Sequence, residues 1–205
     1  MAKFKFDEEA ALAANVGTAG KKVLDSGVYD VTLNTVSEVT ASTGTEGIDW
    51  NFTVAGTQYP NMVYGMWTHK ADGTELFSAN IVQGLMGTLG IKGLTPYEKT
   101  IEIKDGTKKV TAYKELDGKK VKIAVQKVLD VYNGEVKEKN EIKAFFDADS
   151  GKTYSEAKSN SDAKQLTWYT ENLKDKETPA YKKFAVDKED EDESEGSNEE
   201  TGSLL

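Results

Sequence analysis

An Asn-Gly pair at positions 133 and 134 is the feature of this sequence that most restricts its fold. Two runs with the composition of β-strands flank it, residues 121–131 and 136–146. Asn and Gly tolerate the positive φ angles that both central residues of a type I′ turn require, so the segment is predicted to be a long β-hairpin. The chain around it is therefore expected to be mainly β.

The register of the hairpin follows from the two-residue turn. It pairs the following residues across the two strands: Val125 with Ile142, Ile123 with Ala144, Val121 with Phe146, Lys122 with Phe145, Ala124 with Lys143, Val128 with Lys139, and Asp130 with Lys137. The first three pairs form an apolar stripe that is expected to face the core. Strict alternation weakens towards the turn, so the distal half is predicted to project from the body as an arm with a lysine-rich side.

Three segments before the hairpin also have the period of two that is typical of strands, residues 26–37, 48–54 and 59–70. Trp50 and Phe52 fall on the apolar face of the second and are predicted to lie in the core. From residue 75 to 90 the apolar period changes to three and four, which predicts an amphipathic helix. A second, short helix is predicted from Ser161 to Leu173.

The two ends of the chain differ in composition from residues 26–183, which are predicted to form the folded body. Residues 1–25 are interpreted as an arm with a short helix. Residues 184–205 are predicted to be a disordered acidic tail, because residues 187–200 carry nine carboxylates, one lysine and no apolar side chain. The tail is a candidate partner-binding segment, and its site residues are Asp187, Glu189, Asp190, Glu191, Asp192, Glu193, Glu195, Glu199, Glu200, Leu204 and Leu205.

Composition argues against several classes of function. The sequence contains no cysteine and no arginine, so thiol chemistry and the bidentate reading of base pairs by a guanidinium group are excluded. The single histidine, His69, has no triad partners, and Lys158 stands where a calcium loop beginning at Asp147 needs a glutamate, so that segment is interpreted as a turn. We therefore expect no enzyme activity, cofactor or metal. No run of 18 apolar residues is present, so neither a membrane span nor membrane binding is expected.

Lysines and aromatic residues are interleaved along the predicted strands and turns. A protein that binds single-stranded nucleic acid needs aromatic rings that stack on bases and lysines that follow the phosphates. Candidate stacking residues are Tyr59, Tyr64, Trp67, Tyr113 and Tyr132. Candidate phosphate contacts are Lys70, Lys108, Lys109, Lys114, Lys119, Lys120, Lys122, Lys137, Lys139 and Lys143. The alternative is that these lysines only solvate sheet edges and the rings fill a core.

Several segments together resemble phage-encoded single-stranded-DNA-binding proteins. The resemblance covers roughly residues 1–146, with the acidic tail also similar to tails of this class. The segments that carry it are the strand opening at residues 26–31, IDWNFTV, GMWTHK, LMGTLGIKGL, ELDGKKVKIAVQKV and the Asn-Gly hairpin. It implies an OB-fold, a five-stranded barrel with a helix between strands three and four, and the order of elements found above agrees with this topology.

The resemblance further implies a protein that coats single-stranded DNA without sequence specificity during DNA replication, recombination and repair in the cytoplasm of an infected bacterium. The acidic tail would recruit replication and recombination proteins or compete for the DNA groove. Alternatives are a phage tail or decoration protein with a β-sandwich fold, a metal-dependent enzyme that uses scattered carboxylates, and a tail that serves only solubility. Whether the protein forms a homodimer stays open.

Overall fold

A computed structural model describes residues 23–56, 62–103 and 106–196. Eight strands lie within these residues: β1 (Gly27–Thr40), β2 (Glu46–Val54), β3 (Met62–His69), β4 (Pro96–Ile103), β5 (Gly106–Tyr113), β6 (Lys120–Tyr132), β7 (Glu135–Asp147) and β8 (Lys176–Glu177). The helices are α1 (Phe77–Thr88), α2 (Tyr154–Lys158), α3 (Lys164–Asn172) and α4 (Pro179–Gly196), with a 3₁₀ turn at Lys114–Leu116. The chain is mainly β, and the helices predicted at residues 75–90 and 161–173 are confirmed as α1 and α3.

The strands form one open sheet in which β1 is central. The path runs β3-β2-β1-β5-β4, and β6 joins it by pairing with β1, β7 and β8. β2 lies along one edge of β1, whereas the other edge is shared: its first half pairs with β6, and Ser37 pairs with Ala112 of β5. All these pairings are antiparallel except that of β6 with β8. β5 joins the β4–β5 hairpin, which the sequence prediction missed, to β1 on the edge opposite β2.

The core lies between the inner face of the sheet and α1. Trp50 and Phe52 are fully buried there, as predicted, and the Trp50 ring lies 4.8 Å from that of Phe145. Leu85 of α1 and Leu24 belong to the same cluster. Leu24 had been assigned to an N-terminal arm, but its backbone N–H donates to the Asn140 side chain of β7 at 2.7 Å, so the body begins before residue 26.

The β6–β7 hairpin is confirmed, and its turn residues Asn133 and Gly134 have φ angles of 53° and 74°. Val125 pairs with Ile142, Val128 with Lys139 and Asp130 with Lys137, as predicted.

From Val125 towards the start of β6, away from the turn, the predicted register is wrong by one residue. A β-bulge leaves Lys143 without an opposite residue, so the pairs become Ala124 with Ala144, Ile123 with Phe145, Lys122 with Phe146, and Val121 with Asp147. The bulge lets Phe145 face the core, while Phe146 is buried on the opposite face with its ring 5.9 Å from that of Tyr169 in α3. Two consecutive phenylalanines can both be buried only because the sheet is covered on both faces here.

The sequence predicted that the C-terminal segment is disordered from residue 184, and the structure differs from this prediction. Residues 179–196 form α4, which contacts β6. Thr178 caps the helix by accepting a hydrogen bond from the Tyr181 backbone N–H at 3.2 Å, and Pro179 takes the first helical position, where its missing N–H costs nothing. Tyr181, Phe184 and Ala185 form its half-buried stripe. Tail residues 197–205, including Glu199, Glu200, Leu204 and Leu205, lie outside the described residues, as does the N-terminal helix predicted for residues 1–16.

Within the described residues, none of the helices combines the length and the apolar character needed to cross a membrane.

Candidate nucleic-acid interface

The outer face of β2 and β3 is the surface where an exposed ring lies beside polar groups. Alternation along β2 turns Ile48, Trp50 and Phe52 into the core, so Gly47, Asp49 and Asn51 point outward. On β3 the buried residues are Tyr64, Met66 and Thr68, and the outward residues between them are Gly65 and Trp67. Glycine thus occupies one outward position on each strand.

Trp67 lies across Gly47, its partner in the β2–β3 register. A Cβ atom at Gly47 would stand 2.9 Å from Cε3 of the indole and 2.5 Å from the carbonyl oxygen of Met66, so only glycine fits under the ring. The Trp67 backbone is fixed as well, because the Ser78 hydroxyl in α1 donates to its carbonyl oxygen. Trp67 remains 43% exposed. The result is an indole held against the sheet with part of its surface open to a ligand.

Asp49 and Gly65 form the neighbouring outward pair. Here the larger residue, Asp49, lies on β2 and the glycine lies on β3, the reverse of the Gly47–Trp67 pair. A Cβ atom at Gly65 would lie 3.2 Å from Oδ1 of Asp49. The ring and the carboxylate therefore occupy diagonal positions, each beside a glycine of the opposite strand. We call these four residues, Gly47, Asp49, Gly65 and Trp67, the platform.

A polar groove of about 210 Å³ runs beside the platform, between the outer face of β1–β2 and the β4–β5 hairpin. Its floor includes Thr35, Asp49 and Asn51, and its hairpin wall includes Ile101 and Lys108. Thr35 is buried although it faces away from the core, because the hairpin covers it. The groove therefore joins an exposed lysine to the outward polar side chains of β2.

Hydrogen bonds at the base of the hairpin fix the groove. The Lys99 ammonium of β4 donates to the carbonyl oxygen of Asn34 and to Oδ2 of Asp117, each at 2.8 Å. Tyr97 donates its hydroxyl proton to the same carboxylate, and this bond raises the pKa of Tyr97 above its usual range. The Asn34 amide in turn donates to Thr53 at 2.9 Å and Asn51 at 3.2 Å. The groove floor and wall are thus preorganised before any ligand binds.

The candidate stacking residues are not brought together. Tyr59 lies outside the described residues, and Tyr64 is only 4% exposed, with its ring edge against Phe52 at 5.2 Å, so its proposed role in stacking was wrong. Tyr113 is half-buried and donates its hydroxyl to Glu38 at 3.0 Å; burial, with this bond, raises its pKa to about 12. Tyr132 is 68% exposed but lies at the end of the β6–β7 hairpin. Among the described candidates, Trp67 alone belongs to the platform, whose Asp49 lines the groove.

Half of the candidate lysines are neutralised by carboxylates. The ion pairs are Lys109 with Glu98 at 2.7 Å, Lys139 with Asp130 at 3.4 Å, Lys143 with Glu141 at 3.5 Å, Lys122 with Asp30, and Lys137 with Glu135. The β6–β7 hairpin is therefore not the basic arm that the sequence predicted, since its lysines alternate with acids. These five residues are poor candidates for phosphate contacts.

Five candidate lysines are exposed and make no ion pair within the described residues: Lys70, Lys108, Lys114, Lys119 and Lys120. Lys108 lines the groove, and Lys70 directly follows β3, three residues from Trp67. Lys114, Lys119 and Lys120 lie around the 3₁₀ turn that connects β5 to β6. The candidate lysines left without ion pairs thus lie around β3, β5 and the start of β6.

A second cleft, of about 340 Å³, has the wrong charge for phosphate. It lies between the ends of β1–β2 and α1, and Glu38, Glu46 and Glu75 line it. His69 belongs to its rim, with Nε2 3.9 Å from the Glu75 carboxylate. Glu38 also lines the groove beside the platform, which differs from this cleft in having a lysine, Lys108, in its lining.

Sequence reasoning missed Gly47, Asp49, Asn51 and Gly65. Glycine inside an alternating strand marks a close approach of another group, which was the available signal. It could not be interpreted without the β2–β3 register, which contains a β-bulge between Glu46 and Gly47.

No protein-family model matches this sequence, and no curated protein is similar to it at a significant level. The functional argument therefore depends on the geometry of the platform and the groove.

Proposed function

We propose that this protein binds single-stranded DNA on the outer face of β2–β3 and in the groove under the β4–β5 hairpin. The observation that carries the proposal is the exposed Trp67 ring, held on glycine next to a polar groove that is lined by Lys108, a lysine with no ion pair among the described residues. Stacking of a base on an aromatic side chain contributes about 1–3 kcal/mol and requires an unpaired base, which a duplex does not offer.

The strand order supports an OB-fold-like barrel as the scaffold. β1, β2, β3, β6 and β7 would be its five strands, and α1 lies after the third of them. β1 pairs with both β2 and β6, as the first strand of such a barrel does, and β3 contacts β7. The β4–β5 hairpin would be an insertion that deepens the binding face.

In this proposal Trp67 stacks on a base, while Lys108 and Lys70 neutralise phosphates on either side. Lys114, Lys119 and Lys120 would extend the path along the β5 side. The protein would coat single strands during phage replication and recombination in the infected bacterial cytoplasm, and the acidic segment beyond Asp187 would recruit partner proteins. The platform is small, so we expect modest affinity per molecule.

Binding of a fluorescein-labelled, mixed-sequence 15-nucleotide strand, measured by anisotropy at low salt, tests the proposal. We expect Trp67→Ala to weaken binding by at least about fivefold, because one stacking contact is lost. Trp168→Ala is the matched control, since Trp168 is 56% exposed on α3, which covers the other side of the sheet at Phe146. Equal affinity of the wild type for single strands and duplex, or an unchanged affinity of Trp67→Ala, would contradict the proposal.

A further inference from the structure

The carboxylate of Asp49 is the unusual member of a surface that would bind a polyanion. It lies on the outer face of β2 and lines the groove together with Asn51 and Lys108. Trp67 is its diagonal neighbour across the two strands, and both intervening partner positions are glycine. No side chain at positions 47 or 65 therefore separates the indole from the carboxylate.

A carboxylate distinguishes bases because it accepts hydrogen bonds and, when ionised, donates none. Cytosine and adenine present an exocyclic amino group on the base-pairing edge, and guanine presents an amino group beside a ring N–H. Thymine and uracil present two carbonyl oxygens flanking a single ring N–H, and these oxygens repel a carboxylate. An acidic side chain beside a stacked base thus favours amino-bearing bases, as aspartate and glutamate do for the cytosine N4 amino group.

We propose that Asp49 makes the platform select cytosine, adenine and guanine over thymine and uracil. This inference depends on the proposed function and adds a base preference at one position rather than recognition of a defined sequence. Asp49 has other interactions in the folded chain. A carboxylate offers about four acceptor positions, and the proposal requires that one of them faces the base while these interactions are kept.

The test compares pyrimidine strands of equal length on the full chain. Anisotropy with labelled dC15 and dT15 at low salt gives the ratio of their dissociation constants, and we expect dC15 to bind at least about fivefold more tightly. A third strand of N4,N4-dimethyl-deoxycytidine retains the ring but lacks the amino protons, and we expect it to bind as weakly as dT15. This comparison uses the wild-type protein and does not depend on the folding of a variant.

Asp49→Asn provides the matching change in the protein. The amide both accepts and donates, so it suits either pyrimidine, and we expect the affinities for dC15 and dT15 to become equal. Asp162→Asn removes the same charge from an exposed position before α3 and should leave the wild-type ratio intact.

Equal wild-type affinities for dC15 and dT15 would overturn the selection while leaving DNA binding in place. A preference for dC15 that Asp49→Asn retains would overturn the role of this residue. If none of the three strands bound, the proposed function itself would fail, and the base preference would fail with it.

Discussion

Gly47→Ala is the substitution that most directly tests how the platform is built. A Cβ atom there would lie 2.5 Å from the carbonyl oxygen of Met66 and 2.9 Å from the Trp67 ring. Ordinary contacts between such atoms need about 3.5 Å, so β2 and β3 would have to separate by roughly 1 Å or the ring would have to leave. The carbonyl oxygen of Met66 belongs to the backbone, which cannot rotate away from the new Cβ atom as a side chain can.

Overpacking of this kind costs about 1–3 kcal/mol, although alanine recovers part of this in a strand because glycine loses more conformational entropy on folding. We expect Gly47→Ala to lower the urea midpoint, measured by far-ultraviolet circular dichroism, without a change in the slope of the transition. Tryptophan emission in a Trp168→Phe background, which retains Trp67 and the buried Trp50, should shift as the Trp67 ring is displaced, and affinity for single strands should fall.

Gly65→Ala is the matched control. Its new Cβ would meet Oδ1 of Asp49 at 3.2 Å, and that oxygen belongs to a side chain that can rotate. We expect a loss of stability below about 0.5 kcal/mol, typical of surface changes. The reasoning would be refuted if Gly65→Ala destabilised the protein as much as Gly47→Ala, or if Gly47→Ala left both stability and this tryptophan emission unchanged.

Three further predictions concern charge, a buried carboxylate and the C-terminal helix. If Lys70, Lys108, Lys114, Lys119 and Lys120 are the phosphate contacts, the slope of log K against log[salt] should be about −3.5 for single strands. Lys108→Ala should reduce its magnitude by about 0.7, whereas Lys137→Ala should not change it, as a salt titration would show. Glu156 is buried, and burial alone would raise its pKa, but hydrogen bonds from Thr153 and Gln165 lower it overall. The stability that this carboxylate contributes is therefore present at neutral pH and is lost as pH falls through its lowered pKa. Glu156→Gln should therefore cost about 1–3 kcal/mol at pH 7 in thermal unfolding and progressively less in acid, whereas a cost independent of pH would contradict this account. Thr178→Ala removes the cap of α4 and a 2.9 Å hydrogen bond to Asp130. It should therefore destabilise this helix by about 1–2 kcal/mol. Faster amide exchange at Tyr181 and Lys182 would measure this loss, and Thr170→Ala on α3 is the control.

Strands β1, β2, β3, β6 and β7 and the main helix could be predicted from the sequence because their apolar periods are local, whereas the β4–β5 hairpin was missed. The Asn133-Gly134 turn also set the register correctly as far as Val125. The bulge beyond it could not be foreseen, since it depends on distant partners. Phe145 faces the core because Trp50 lies there, and Phe146 faces the other way because α3 covers it with Tyr169.

The candidate site was predicted less completely, because exposure depends on which strands become neighbours. Trp67 and Tyr64 have similar sequence contexts, yet alternation on β3 exposes the first and buries the second against Phe52. The sequence likewise did not show which lysines would form ion pairs with carboxylates. Lys137 and Lys139 look like phosphate contacts in the sequence, but Glu135 and Asp130 lie within reach of them once the hairpin forms.

The ion pairs between these lysines and carboxylates reduce the contribution that phosphate contacts can make to the proposed binding of nucleic acid. When lysines dominate, binding is strong at low salt and indifferent to the base, because phosphate is the same at every nucleotide. With half of the candidate lysines already neutralised, a larger share of the binding energy has to come from the Trp67 ring and the polar groups of β2. In the proposed complex those groups contact bases, and bases differ. A surface with little free positive charge and an acidic residue beside its ring should therefore discriminate among bases more, and respond to salt less, than a basic groove of the same size.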